Sequence, residues 1–159
     1  MKHIFSCRVK DKPGVLTRMA ASFSEKGLNI QSLSVAVTEG YRETRTTIVF
    51  QGKSEDEIKD ITEHLNSMDD VLEVEDFAGK ETIAKELVLV KIKTLPREIP
   101  HITQLLELFG APIADIGKTT MTVEYSGPEN KVTALIKMLD QFGIESVTRT
   151  GMVALKAGD

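Results

Sequence analysis

Hydrophobic positions near the N-terminus first alternate with polar ones and then change to helical spacing. Residues 3–10 place every second side chain on one apolar face, which is typical of a half-buried strand. Between residues 13 and 26, apolar side chains recur every three or four positions, which predicts an amphipathic helix. The pattern continues through two β-rich segments joined at Glu39-Gly40, a helix opened by Ser54 and a closing strand. The predicted order of elements is therefore β-α-β-β-α-β. Its last three strands are predicted at residues 30–38, 44–51 and 71–77, and its second helix at 54–65.

The second half of the chain repeats this order with different residues. A strand at 86–93 precedes a helix at 97–109, and Pro128 opens a second helix. Two short strands flank Gly117-Lys118 as a hairpin, and a final strand at 144–155 contains Gly151 as a bulge or turn. Both halves match the split β-α-β pattern, so the predicted fold class is α+β with two ferredoxin-like βαββαβ units. The predicted domains are residues 1–78 and 84–159, joined by a linker at 78–84.

The small size of each unit predicts that the chain associates with a second copy. A unit of about 75 residues buries only about 60% of the surface that its unfolded chain exposes, so it is marginal alone. An uncovered sheet face or edge strand would offer a place for a partner. We therefore expect a homodimer.

Composition and charge exclude several classes of partner. The net charge is −4, the pI is near 5.5, and no basic run exceeds two residues, so we expect no nucleic-acid partner. No apolar run reaches 18 residues, and the alternating N-terminal segment does not resemble a secretory signal, so we expect no membrane association. The single cysteine, Cys7, is expected to be a small core residue in a reducing, cytoplasmic compartment.

The chain shows no residue pattern that predicts catalysis or metal binding. The three histidines are far apart in sequence, and no paired-histidine, cysteine-cluster, nucleophile-elbow or phosphate-loop motif occurs. We therefore expect a protein that binds a ligand and is not an enzyme. Because the ferredoxin-like scaffold hosts unrelated functions, a small-molecule enzyme remains an alternative at this stage.

One loop combines features of a small anion pocket. Asp11 is a good helix N-cap, and Gly14 would let a ligand approach the backbone of the first helical turn. The free N–H groups of that turn could hold a carboxylate, and Asn29 could add a side-chain amide. Together with the apolar residues beside them, these polar groups would suit a small apolar amino acid as the ligand. In the alternative interpretation, Pro13-Gly14 merely starts a helix and Asn29 merely leaves one.

The residues around this loop resemble a known regulatory module. The segments D-K-P-G-V-L-T-R-M, from residue 11, and K-G-L-N-I-Q-S-L-S-V, from residue 26, resemble the N-terminal half of an ACT domain, the small amino-acid-sensing module. The segments E-L-V-L-V-K-I at 86–92 and R-T-G-M-V-A-L-K-A-G-D at 149–159 resemble the second domain of acetolactate synthase small subunits. The resemblance to that family therefore runs nearly from end to end.

The resemblance implies a role and a location for the ligand. Small subunits of this family have no active site, dimerise through their ACT domains, activate a catalytic subunit and confer feedback inhibition, usually by valine. Thiamine diphosphate, Mg and FAD would belong to the catalytic subunit, and no cofactor or metal is expected on this chain. The effector would lie between the first loop and helix of one copy and the start of the second strand of the other. The implied effector-binding residues are Asp11, Gly14, Val15, Leu16, Asn29 and Ile30.

The chain departs from the family pattern at the loop itself. The family commonly has asparagine at the position of Asp11, and a carboxylate there would attract an ammonium group and repel a nearby carboxylate. The hairpin at residues 38–42 also differs from the usual proline-containing turn. The alternative function is a free-standing ACT-type amino-acid sensor that acts on a different enzyme.

Overall fold

A computed structural model describes residues 1–38 and 42–158 as two compact units. The first unit contains residues 1–83 together with residues 152–158, and the second contains residues 84–151. The Glu39-Gly40 turn expected from the sequence lies outside the described residues. Among the described helices, none is long and apolar enough to cross a membrane.

The first unit has the predicted βαββαβ order. Its four strands form one antiparallel sheet with the order β2-β3-β1-β4, so β2 and β4 lie at the edges. Ser54 caps the second helix as predicted, since its Oγ accepts a hydrogen bond from the N–H of Glu57 at 3.2 Å. The elements are β1 (Lys2–Lys10), α1 (Val15–Glu25), β2 (Ile30–Val37), β3 (Glu43–Gln51), α2 (Glu55–Asn66) and β4 (Val71–Asp76).

Both helices of this unit pack on one face of the sheet. Phe5 and Phe50 from the strands meet Phe23 of α1, and all three rings are fully buried. The ring centroids of Phe50 lie 4.8 Å from Phe5 and 5.0 Å from Phe23, in edge-to-face arrangements that stabilise aromatic pairs. The alternating strand and the helical apolar stripe thus bury the faces that the sequence pattern predicts.

The chain returns to the first unit at its end. The sequence prediction ran the second domain to residue 159, whereas the structure groups residues 152–158 with the first unit. The N–H of Met152 donates to Ser32 Oγ at 2.9 Å, and the N–H of Ala157 donates to the carbonyl of Glu81 at 2.9 Å. These bonds and the burial of Met152 and Ala154 hold the segment, which contains β9 (Val153–Lys156). The strand that follows the linker is β5 (Thr82–Lys93). Since β5 begins at Thr82, the linker is shorter than the predicted 78–84.

The second unit repeats the fold around its own core. Its sheet has the order β6-β7-β5-β8, with two helices on one face. A short 3₁₀ turn precedes α3. The final strand predicted at 144–155 is two strands, β8 and β9, which are separated near Gly151, where φ is 80°. The elements after β5 are α3 (Ile99–Phe109), β6 (Ile113–Ile116), β7 (Thr120–Gly127), α4 (Glu129–Leu139) and β8 (Ile144–Arg149). The two ferredoxin-like units predicted from the sequence are therefore confirmed.

Candidate functional site

The loop that joins β1 to α1 makes an uncapped helix start. Gly14 is the N-cap residue, with φ 84°, a left-handed conformation that glycine adopts without steric cost. The prediction that Asp11 caps α1 is therefore wrong, because the chain turns at Gly14 and leaves Asp11 three residues before the cap. No side chain of the described residues hydrogen-bonds to the first turn as a cap.

Asp11 is instead held by the neighbouring strand. It is exposed, and its Oδ1 accepts a hydrogen bond from Thr44 Oγ1 at 3.3 Å. Its N–H donates to the carbonyl of Arg42 at 2.7 Å. The carboxylate therefore has a fixed place beside the loop and remains open to solvent.

The first turn of α1 keeps the groups that an anion would use. The first N–H groups of any α-helix lack intrahelical acceptors and carry the positive end of the helix dipole. Here the N–H of Arg18 donates to Gly14 at 3.0 Å, and the N–H of Val15 makes only a long bond of 3.4 Å to Lys12. The turn between them can therefore receive a carboxylate from solvent.

The two apolar residues of the loop have different environments. Val15 is 2% exposed and packs in the core, so only its backbone can reach a ligand. Leu16 is 37% exposed and presents its side chain at the surface. Of the two, Leu16 is the residue that can supply an apolar wall.

Asn29 and Ile30 lie at the end of the turn that connects α1 to the edge strand β2. Asn29 is exposed, and Ile30 is half-buried against the core. The turn before them is well defined, because the N–H of Leu28 donates to the carbonyl of Phe23 at 2.8 Å and Gly27 has φ 68°. The amide of Asn29 is thus presented to solvent from a rigid support.

The edge strand β2 exposes an apolar stripe on the helix side of the sheet. Leu33, Val35 and Val37 pair across the sheet with Ile48, Thr46 and Thr44, which face the core. The three β2 side chains are nevertheless 40%, 39% and 66% exposed. Edge strands with apolar exposed side chains invite another strand or chain.

Two features near the loop are absent from the sequence prediction. Thr44 is 33 positions from the Asp11 carboxylate that it contacts, and Asp70 is 52 positions from Arg18, which donates to it at 2.6 Å. Neither pairing follows a local motif. Only the fold brings these residues to the loop.

A cavity elsewhere in the first unit does not include the predicted residues. It has a volume of about 580 Å³ and lies at the other end of β1, where His3 Nδ1 and Asp76 Oδ2 are 2.7 Å apart. This volume is within the range of small-molecule sites. None of the six residues implied for the effector lines it.

Cys7 is a buried core residue, as predicted, and burial raises the pKa of its thiol to about 12.

Within residues 1–38 and 42–158, no group of three histidine, cysteine, aspartate or glutamate residues is arranged to hold a metal ion. The six implied residues remain the candidate site.

Two family models together match most of the chain. A model described as AHAS small subunit-like ACT domain matches residues 5–73, and one described as small subunit of acetolactate synthase matches residues 85–158. The first match contains all six candidate residues. The second reaches into the C-terminal segment that packs with the first unit.

Individual proteins match over the same length. The chain is 35% identical over 156 residues to the acetolactate synthase small subunit of Mycobacterium bovis, covering 98% of this chain and 92% of that protein. It is 33% identical over 158 residues to that of Bacillus subtilis, covering 99% and 92%. The crystal structure of the small subunit from Thermotoga maritima superposes with a TM-score of 0.91, at 28% identity, covering 100% of this chain and 99% of that chain. The chain therefore belongs to the family of acetolactate synthase small subunits.

Proposed function

We propose that this regulatory subunit activates an acetolactate synthase catalytic subunit and makes it sensitive to feedback inhibition by valine or a related branched-chain amino acid. The observation that carries the proposal is the uncapped start of α1, in a chain that matches acetolactate synthase small subunits along its length. The role assigns the chain to branched-chain amino acid biosynthesis in the cytoplasm.

The loop offers one partner to each part of an amino acid. The N–H groups at the start of α1 receive the carboxylate, and Gly14 leaves room for its close approach. The Asp11 carboxylate faces the ammonium group, which it attracts more strongly than a neutral amide would. Leu16 supplies apolar contact from one copy, and the partner copy supplies its second strand.

A homodimer would complete this site. The exposed stripe of Leu33, Val35 and Val37 lies on β2, which pairs with β3 and is an edge strand of the sheet among the described residues. Pairing this edge with a second copy would extend the sheet and cover the stripe. The same contact would bring Asn29 and Ile30 of one copy to the loop of the other.

Calorimetric titration with valine, leucine and isoleucine tests the ligand. We expect one of the three to bind and to raise the melting temperature, since a ligand at a hundredfold excess over its Kd stabilises by about 2.7 kcal/mol. Asn29→Ala should weaken binding at least tenfold. Asn66→Ala, which alters an exposed asparagine at the end of α2, should leave it unchanged. Equal binding by both variants would contradict the placement of the site.

Capture from a cell extract separates regulation of acetolactate synthase from a free-standing sensor. The match of residues 85–158 to the small-subunit model favours the former. We expect the tagged chain to retain the catalytic subunit, which carries thiamine diphosphate. A chain that binds a branched-chain amino acid and never retains that subunit would support the sensor instead.

A further inference from the structure

The effector loop, residues 11–14 between β1 and α1, is contacted by a carboxylate that also contacts α1. Asp70 follows α2, and its side chain is 19% exposed. Its Oδ1 accepts a hydrogen bond from Lys12 Nζ at 3.1 Å, and its Oδ2 accepts one from Arg18 Nη2 at 2.6 Å. Lys12 lies inside the loop and Arg18 lies one turn into α1, so a single residue joins both sides of Gly14.

Hydrogen bonds to the backbone carbonyls of Asp69 and Asp70 hold the end of β1, where the same loop begins. The N–H of Lys10 donates to the carbonyl of Asp70 at 2.8 Å, and Lys10 Nζ donates to the carbonyl of Asp69 at 2.6 Å. Lys10 Nζ also lies 3.8 Å from Asp70 Oδ1. The end of β1 is thereby attached to the turn between α2 and β4.

Arg18 connects Asp70 to the start of α1. A Cβ atom built on Gly14 would lie 3.2 Å from Arg18 Nη1, so the guanidinium group packs closely beside the glycine. The hydrogen bond from Lys12, together with the charges of Lys12, Lys10 and Arg18, holds the pKa of Asp70 below its ordinary value. The carboxylate is therefore charged at neutral pH.

We propose that Asp70 is the positioning residue of the effector loop, fixing Lys12 and Arg18 so that the first turn of α1 stays open beside Gly14. The proposal deepens the proposed function and rests on it for the identity of the ligand. Asp70 acts through the loop and does not contact the amino acid. Without its charge, the loop samples conformations in which the helix start is not arranged for a carboxylate, and binding is weakened by the loss of preorganisation.

Two variants and a matched control test this role. Asp70→Asn keeps the size of the side chain and removes its charge, whereas Asp70→Glu keeps the charge. Asp60→Asn is the control, because Asp60 on α2 forms an ion pair with Lys26 at the far end of α1. Asp60→Asn loses one ion pair, whereas Asp70→Asn loses contacts with three cations, so the melting temperature should fall slightly in the control and further in Asp70→Asn.

Hydrogen exchange measures how well the loop is fixed in the absence of a ligand. In Asp70→Asn, the N–H groups of Val15 and Arg18 should exchange about fivefold faster, the size expected from losing several partly exposed charge-assisted bonds. Asp60→Asn should leave these two rates unchanged, and Asp70→Glu should recover at least half of the effect. Unchanged exchange at the loop in Asp70→Asn would overturn the proposal.

Titration with valine, leucine or isoleucine reads the consequence for binding. The affinity should fall about fivefold in Asp70→Asn and stay at the wild-type value in Asp60→Asn. A loosened loop with unchanged affinity would overturn the positioning role. If the wild-type chain binds none of the three amino acids, the proposed function fails, and the exchange rates still decide whether Asp70 fixes the loop.

Discussion

Substitution of Gly14 by alanine separates backbone strain from ligand contact. Gly14 has φ 84°, and an L-residue in the left-handed region costs about 1–2 kcal/mol. Alanine also reduces the freedom of the unfolded chain, which offsets about 0.4–1 kcal/mol of that cost. The added Cβ would lie 3.2 Å from Arg18 Nη1, the end of a flexible side chain that can move by a few tenths of an ångström. The expected net loss of stability is about 1 kcal/mol.

Gly110 provides a control with the same backbone strain in the other unit. It has φ 64°, and a Cβ built there has no neighbour within 4 Å. Gly110→Ala should therefore also lose about 1 kcal/mol. For a unit of this size, that corresponds to about 4–8 °C in melting temperature. Urea denaturation followed by circular dichroism measures both losses.

Binding should distinguish the two variants. In Gly14→Ala the new methyl group lies where the amino-acid carboxylate would approach the first turn of α1, so the affinity for valine should fall at least tenfold. In Gly110→Ala the affinity should not change. Wild-type affinity in Gly14→Ala would refute the reasoning, because the ligand would then not lie against Gly14.

Three further predictions concern stability and reactivity. Thr46 Oγ1 is buried with no hydrogen-bond partner among the described residues, so Thr46→Val should raise the free energy of unfolding by about 1 kcal/mol, measured by urea denaturation. With its pKa raised from 9.0 to about 12, the Cys7 thiol should be alkylated by iodoacetamide at pH 8 about a thousandfold more slowly in the folded chain than in urea, because only the thiolate reacts. Equal rates in the two states would contradict its burial. Removal of residues 152–159 should lower the stability of the first unit by about 3 kcal/mol, because the apolar contacts that the buried Met152 and Ala154 make with this unit are lost. Hydrogen exchange in β1 measures this loss, and a loss confined to the second unit would argue against the observed packing.

The sequence pattern was sufficient for the elements because local and tertiary preferences agree. Alternating residues in β1 and a helical stripe in α1 each bury the face that their period predicts. Ser54 has a capping side chain immediately before an acidic first turn, and the structure uses it as a cap. Where the local pattern of a segment agrees with the face that the fold buries, the sequence alone is enough to predict the element.

Long-range pairing accounts for what the sequence did not predict. Asp11 has the side chain of an N-cap, but the left-handed turn at Gly14 moves the helix start beyond its reach. Nothing local to Asp70 indicates Lys12 or Arg18 as partners, because they lie 58 and 52 positions away in the sequence. The C-terminal segment is similar, since Met152 finds Ser32 across 120 positions of sequence. Such contacts depend on topology and carry no periodic signal.

The candidate effector site could be predicted only in part from the sequence, for the same reason. Pattern and resemblance together indicated Gly14 and Asn29, and the structure presents both at the surface of rigid turns. The burial of Val15 shows that its side chain serves the core. The contribution of the partner copy remains a prediction from the resemblance, supported by the exposed apolar stripe of β2.

The rate of acetolactate formation by the cognate catalytic subunit tests the central claim most directly. The rate should rise when the purified chain is added in equimolar amount, and it should fall again when valine, leucine or isoleucine is titrated into the complex. The Asn29→Ala variant should still raise the rate and should respond much less to the amino acid. A catalytic subunit whose rate is the same with and without the chain would contradict the account.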